Sequence, residues 1–304
     1  MNTLIRISIL VVFVFAESSA SANSIQDIAG RVQAEGWFGS CSKELPRLAK
    51  IKEPKGHSAD WKVYVKIMAG CLSELRRDYE AIAYINRKFA GKKFDSDILE
   101  YLATSHIRIG NYDDSARLLE SALELGVDER RVPEIHSKLA LSYIQQAARL
   151  SPIVSDRNNL IASAERSIRR AIELSSTPSP ILYTQLAQVQ TFSGDLASAE
   201  NSLNLALDLN SNYEWEKQAF RRVIEAEILM SKSQVRRLAG DENGAVILSA
   251  EAIKIAPTES LKIVLEEMDS VSAGRVKVPV TEMSGRSVRG SVLSQPYIPL
   301  DEEM

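Results

Sequence analysis

The fold is decided by residues 194–209 (GDLASAENSLNLALDL), because residues 110–125 (GNYDDSARLLESALEL) and 240–255 (GDENGAVILSAEAIKI) repeat their pattern. In each stretch a glycine is followed five residues later by a small residue and twelve residues later by an alanine. Glycine tolerates the backbone angles that end one helix before the next begins. The third stretch runs into Pro257, which a helix interior excludes. The pattern predicts three helices, each entered through a glycine turn.

A second apolar pattern precedes two of these glycines. Leu102-Ala103 comes before Gly110, and Leu186-Ala187 comes before Gly194. A degenerate copy begins at Leu139-Ala140 and continues with Ala164, Ile168, Ala171 and Leu174. Small residues at these positions let two helices approach closely, while the large apolar residues fill the gap to the next pair. The sequence therefore predicts helical hairpins in series.

Over residues 60–258 the chain resembles the tetratricopeptide repeat (TPR) family, whose helix–turn–helix unit has a period of about 34 residues. The alternative is an ordinary helical bundle, which has no reason to keep the glycine-to-alanine spacing constant. The resemblance implies an all-α fold, a TPR-like helical-hairpin solenoid. The end of the chain, residues 270–304, is rich in serine, glycine and valine and contains three prolines, which predicts a disordered C-terminal tail. The expected organisation is a signal peptide at 1–22, an N-terminal helical cap at 23–59, the repeat domain at 60–268 and a flexible tail at 269–304.

The beginning of the chain has the three-part layout of a secretory signal. Arg6 precedes an apolar run at 7–16, and a small polar stretch ends in Ala20-Ser21-Ala22, as at a signal cleavage site. The run is shorter than the roughly 20 residues that cross a bilayer. We expect cleavage after Ala22 and export to the periplasm; the alternative is an uncleaved segment that anchors the protein to the membrane.

The chain has two cysteines, Cys41 and Cys71. In an oxidising compartment an even pair usually closes a disulfide, so export predicts a bond between them. The alternative is a pair of buried thiols, which requires the signal interpretation to be wrong. Two cysteines 30 residues apart do not match the ligand spacing of a structural zinc site.

Composition and motifs argue against several classes of function. The net charge is −3 with 25% charged residues, and no basic stripe carries interleaved aromatics, so nucleic-acid binding is not indicated. The three histidines, His57, His106 and His136, are isolated from one another and from other metal ligands. No nucleophile elbow or phosphate-cradling glycine loop is present in the sequence. We expect no enzymatic activity, no cofactor and no metal.

The resemblance places the ligand surface on the concave face formed by the first helices of the hairpins. The register puts the following side chains there: Asp97, Glu100, Thr104, Arg108, Glu134, Ser137, Leu141, Gln145, Thr184, Gln188, Thr191, Phe192, Glu227, Met230 and Gln234. Some family members clamp a peptide carboxylate with lysine and asparagine at set first-helix positions, but the matching residues here carry no positive charge. The groove is neutral to acidic, which favours a neutral or basic segment of another protein. Phe192 and Met230 are the expected apolar contacts.

The sequence thus favours a non-enzymatic scaffold or adaptor of the cell envelope, or of a secretion-related assembly, that binds a peptide or helical segment of another protein. The alternative is a structural subunit that stays buried in a large envelope complex. A plain solvated face remains possible at any one of the groove positions.

Overall fold

The computed structural model describes residues 25–273 except 36, 55–57, 92, 152 and 216–217, and the side chains of 33–35, 37–39 and 260 are also not described. The predicted signal peptide and residues 274–304 lie outside the described residues. The described part forms thirteen α-helices and no strand. The helices are α1 (Ile25–Glu35), α2 (Trp37–Leu48), α3 (Ala59–Glu74), α4 (Asp78–Lys88), α5 (Ser96–Arg108), α6 (Tyr112–Leu125), α7 (Val132–Arg149), α8 (Ser155–Leu174), α9 (Pro180–Ser193), α10 (Leu196–Asn212), α11 (Gln218–Leu238), α12 (Glu242–Ile255) and α13 (Glu259–Ser272).

The helices fall into two compact units that divide between Ser105 and His106. In the first unit the predicted disulfide is present: Cys41 of α2 is bonded to Cys71 of α3, with their Cα atoms 5.0 Å apart. Both side chains are fully buried. The bond ties the N-terminal helices to α3, the first helix of the predicted repeat domain.

A part-buried ion pair joins α1 to α2 in the same unit. The guanidinium of Arg31 donates from Nε and Nη2 to the two carboxylate oxygens of Glu44, both at 3.0 Å. Arg47 adds a further bond to Glu44. These hydrogen bonds, led by those from Arg31, hold the pKa of Glu44 below its ordinary value despite burial. A two-pronged contact of this kind fixes orientation as well as distance.

The second unit contains the hairpins predicted from the repeats. Helix α7 packs against α8, α9 against α10, and α11 against α12, while α8 contacts α9 and α10 contacts α11. The glycines of the three quoted stretches adopt left-handed backbone angles, with φ of 83° at Gly110 and 86° at both Gly194 and Gly240. A non-glycine residue is strained at such angles, so the turn before each of these helices requires glycine, as the sequence pattern predicted.

The small residues of the repeat are buried in the fold. All six that define the register are fully buried, five as alanine and one as serine: Ser115, Ala122, Ala199, Ala206, Ala245 and Ala252. Aspartates start two of the second helices, since the Asp195 carboxylate accepts from the Ser198 amide at 3.0 Å and that of Asp241 from the Gly244 amide at 2.9 Å. The helical-hairpin fold class is therefore confirmed.

The last helix extends past the expected end of the repeat domain. Helix α13 runs to Ser272, so its final turn covers residues 269–272, which the sequence analysis assigned to the tail. Leu261 and Leu265 of this helix are fully buried in a cluster with α11 and α12. The loss of the repeat pattern after residue 267 does not end the packing, because an unpaired helix can still cover the preceding hairpin.

We expect Ala206→Arg to lower the free energy of unfolding by several kcal/mol or to prevent folding, because it places an unpaired charge in a packed helix interface. The matched control is Asn201→Arg, since Asn201 is exposed on the same helix. That change should cost less than about 0.5 kcal/mol. Urea unfolding of both variants measures the difference, and equal midpoints would contradict the register.

Reduction of the disulfide should lower the melting temperature of the protein. The bond closes a loop with a sequence separation of 30 residues, for which the chain-entropy model gives about 3–4 kcal/mol. Melting with and without reductant measures the shift, and Cys41→Ser/Cys71→Ser should behave like the reduced protein. Rapid alkylation of both thiols in the folded, unreduced protein would show that the bond does not form.

Candidate functional site

The second unit has an open groove where α7 and α9 begin. This α7–α9 groove has a volume of about 550 Å³. Its walls come from the start of α7 and the turn before it, the end of α8, and the connection into α9. It is lined by Glu129, Arg130, Pro133, Glu134, Ser137, Leu174, Ser175, Ser176, Thr177, Ser179, Ile181 and Leu182.

Local sequence explains why this corner stays open. Pro133 and Pro180 occupy the first turns of α7 and α9, where the fixed φ of proline suits a helix start and its missing N–H costs nothing. Helix α8 ends at Leu174, and residues 175–179 (SSTPS) link it to α9 without further helix. Short polar residues with proline are typical of such connections.

The groove is lined by the carboxylates of Glu129 and Glu134 together with hydroxyl groups and apolar side chains. The Glu134 side chain is 58% exposed, and Lys138 Nζ lies 2.7 Å from its Oε1. The positive charge of Lys138 holds the pKa of Glu134 below its ordinary value, so this carboxylate is ionised at neutral pH. Ser137 Oγ donates to Gln185 Oε1 at 2.6 Å and thereby links α7 to α9 beside the groove.

The one basic side chain in the lining is held by its own turn. Arg130 donates from Nε and Nη2 to the Asp128 carboxylate at 3.0 and 2.7 Å. These bonds lower the pKa of Asp128 to about 2. Glu129 and Glu134 therefore line the groove beside an Arg130 guanidinium that pairs with Asp128, and Glu134 pairs with Lys138. Leu174, which is 38% exposed, supplies an apolar contact surface at the other wall. The arrangement suits a cationic group next to an aliphatic one.

The structure separates the fifteen residues expected on the concave face into distinct environments. Glu134 and Ser137 line the α7–α9 groove, and none of the other thirteen does. Thr104, Arg108, Gln145 and Gln188 are half-buried on their helices. Glu100 is buried, and so is Thr184, whose Oγ1 donates to the Pro180 carbonyl oxygen at 3.0 Å. Whether any of these binds a partner stays a prediction.

The expectation that Met230 is exposed in a groove is wrong. Its side chain is fully buried in the cluster formed by α11, α12 and α13. The reason is α13, which packs on α11 as the first helix of a following hairpin would. Glu227, one turn earlier on α11, is buried as well.

Phe192 is half-buried and packs against the apolar cluster of α7, α8 and α9. The Arg157 guanidinium lies 6.0 Å from the centre of its ring. Arg157 Nη2 also donates to the Phe192 carbonyl oxygen at 3.4 Å. This side chain is thus part of the packing around α9 and remains partly exposed. The repeat pattern predicted the helix position of Phe192. It did not predict the contact with Arg157, which lies on α8.

Sequence reasoning missed the wall made by residues 174–179. The repeat pattern predicts only helical positions, whereas these residues form the end of α8 and the loop that follows. The run of serine, threonine and proline at 175–180 was the available signal, because it marks a connection that lies beside the start of the next first helix.

Several solved structures resemble this chain. A TPR protein from Parabacteroides merdae matches with a TM-score of 0.58 at 11% identity, covering 88% of this chain and 93% of that one. A thermophilic TPR protein from Thermus thermophilus matches with a TM-score of 0.52 at 17% identity, covering 67% and 96%. The APC/C hetero-tetramer Cut9–Hcn1 matches with 0.57 at 12% identity, covering 87% and 48%. The chain has the TPR fold.

No protein-family model matches the sequence, and neither does any curated protein. The TPR assignment therefore rests on the structure and on the register of the three glycine-led helices. Within the described residues, no helix is long and apolar enough to span a membrane, and no group of three histidine, cysteine, aspartate or glutamate side chains is placed to hold a metal ion.

Proposed function

We propose that this protein is a non-enzymatic scaffold that binds a basic or neutral segment of another protein. The observation that carries the proposal is the α7–α9 groove, in which Glu134 stands beside hydroxyl groups and Leu174. TPR-type folds stack helices so that neighbouring first helices form extended binding surfaces. A lysine or arginine of the partner would pair with Glu134, and an adjacent aliphatic residue would cover Leu174.

Charge in such a groove selects partners and speeds association more than it adds affinity, whereas buried apolar contacts slow dissociation. The carboxylates of Glu129 and Glu134 disfavour acidic segments in the same site. The alternative, a subunit permanently embedded in a complex, needs a large apolar interface that buries about 2,000 Å² or more. The polar lining of the α7–α9 groove fits a reversible contact better.

We also propose that the protein is exported and works in the periplasm. The support is the Cys41–Cys71 disulfide, since such bonds persist in oxidising compartments, together with the signal-like sequence at 1–22. The intact mass of protein purified from its native cells should correspond to a chain that begins at Asn23. A membrane-bound species that retains Met1 would favour the anchored alternative.

Selection of a displayed random peptide library on the immobilised protein tests the binding proposal. We expect enrichment of peptides that carry lysine or arginine next to an aliphatic residue. Glu134→Gln should weaken binding of a selected peptide by about 1 kcal/mol, or roughly fivefold, because it removes the charge partner and leaves Lys138 to repel the ligand. Fluorescence anisotropy of the labelled peptide measures this change.

Asp208→Asn is the matched control, because Asp208 is an exposed carboxylate on α10 that does not line the groove. It should leave the affinity unchanged. Leu174→Ser should also weaken binding. Enrichment of acidic peptides would contradict the proposed charge preference. Equal affinities for the Glu134→Gln and Asp208→Asn variants would show that the groove is an ordinary solvated surface.

A further inference from the structure

The beginning of α11 projects past the beginning of α9. Helix α11 has 21 residues where α9 has 14, and the two helices end two residues before Gly240 and one residue before Gly194. The additional residues therefore lie at the start of α11, where seven of them extend the helix by about 10 Å. Because α10 runs back between them and packs on both, α9 and α11 point the same way. The projecting end of α11 thus stands beside the start of α9.

Three aromatic side chains occupy this projecting end. The ring centre of Trp215 lies 4.7 Å from that of Tyr213 and 5.7 Å from that of Phe220. All three side chains are half-buried, so each keeps part of its surface in solvent. These residues form the α10–α11 aromatic cluster. The other connections that lead into a first helix of the second unit, residues 126–131, 175–179 and 256–258, contain no aromatic residue.

Hydrogen bonds hold the cluster in place. Trp215 Nε1 donates to Asn210 Oδ1 at 2.9 Å. Asn210 is itself buried, and its Nδ2 donates to the Arg221 carbonyl oxygen at 3.2 Å. The indole is therefore fixed relative to α11 by way of α10. A rigid aromatic side chain loses little conformational entropy when a ligand covers it, and residues of this type supply much of the binding energy at protein interfaces.

Ile181, in the first turn of α9, links the cluster to the α7–α9 groove. Its side chain lines that groove and packs against the same apolar core as Trp215 and Phe220. Helix α9 contacts α7 on one side and α11 on the other. With about 10 Å between neighbouring helix axes, α7 and α11 lie about 20 Å apart, a distance that about six extended residues span.

We propose that the α10–α11 aromatic cluster is a second contact for the partner segment that binds in the α7–α9 groove. It takes an apolar side chain about six residues away from the lysine or arginine that pairs with Glu134. The inference rests on the proposed function, and it adds a length and a second chemical requirement to the segment. Because the two contacts differ in chemistry, a segment that carries only one of the two residues engages only half of the surface.

Fluorine NMR of the full-length protein labelled with 5-fluorotryptophan tests the contact directly. The probe is a peptide of about twelve residues, long enough to span both contacts, with one fixed lysine and the other positions randomised. It is selected for binding that Glu134→Gln weakens. Selected peptides should carry an apolar residue about six positions from the lysine.

The Trp215 resonance, assigned by its loss in Trp215→Phe, should shift when the selected peptide is added. The resonance of Trp61, which is buried in the first unit, should stay where it is. A Trp215 resonance that does not move at saturating peptide would overturn the second contact and leave the groove proposal standing. If no selected peptide depends on Glu134, the groove proposal fails and the second contact fails with it.

A shortened peptide separates binding from folding. Tyr213→Ala should weaken the full peptide by about tenfold, with an unchanged circular dichroism spectrum, whereas Tyr79→Ala is the control because Tyr79 is 74% exposed in the first unit. A peptide that ends before the apolar residue should bind the wild type and Tyr213→Ala equally. An equal loss for both peptides would mean that the cluster only closes the end of the hairpin, and would overturn the proposal.

Discussion

Close approach of paired helices at fully buried small residues is the constraint on which the rest of this structure depends. Ala199 and Ala206 on α10, and Ala245 and Ala252 on α12, are fully buried, and a larger side chain in a close-packed interior would have to displace its neighbours. Packing at that distance fixes how each helix lies on its partner. The large apolar residues then fill the gap between successive hairpins.

A stack built in this way has to be closed where it stops. At the C-terminal end, α13 buries Met230 and the other apolar side chains of the last hairpin, and the Arg237–Asp269 pair joins it to α11 at 3.0 Å. Capping elements are a general requirement of repeat folds, because an uncovered terminal face would expose apolar surface to water.

The α7–α9 groove arises from the same geometry. Where the α8–α9 connection is made of short polar residues instead of helix, the starts of two first helices are left with space between them. The Ser137–Gln185 hydrogen bond holds the two helices at this separation. The proposed binding site is this space between α7 and α9, so binding requires no change in how the helices pack.

The sequence by itself determined the helical class, the hairpin register and the disulfide. Gly110, Gly194 and Gly240 could be recognised because only glycine adopts their backbone angles at low cost, and the alanines because their spacing repeats. Only the tertiary structure decided which register positions are open to solvent. Met230 was expected in a groove and is in the core, since exposure depends on whether a later helix covers the site. The run of serine, threonine and proline at 175–180 indicates a loop, but where the wall at 174–179 lies could not be predicted, because a loop has no periodicity from which its position follows.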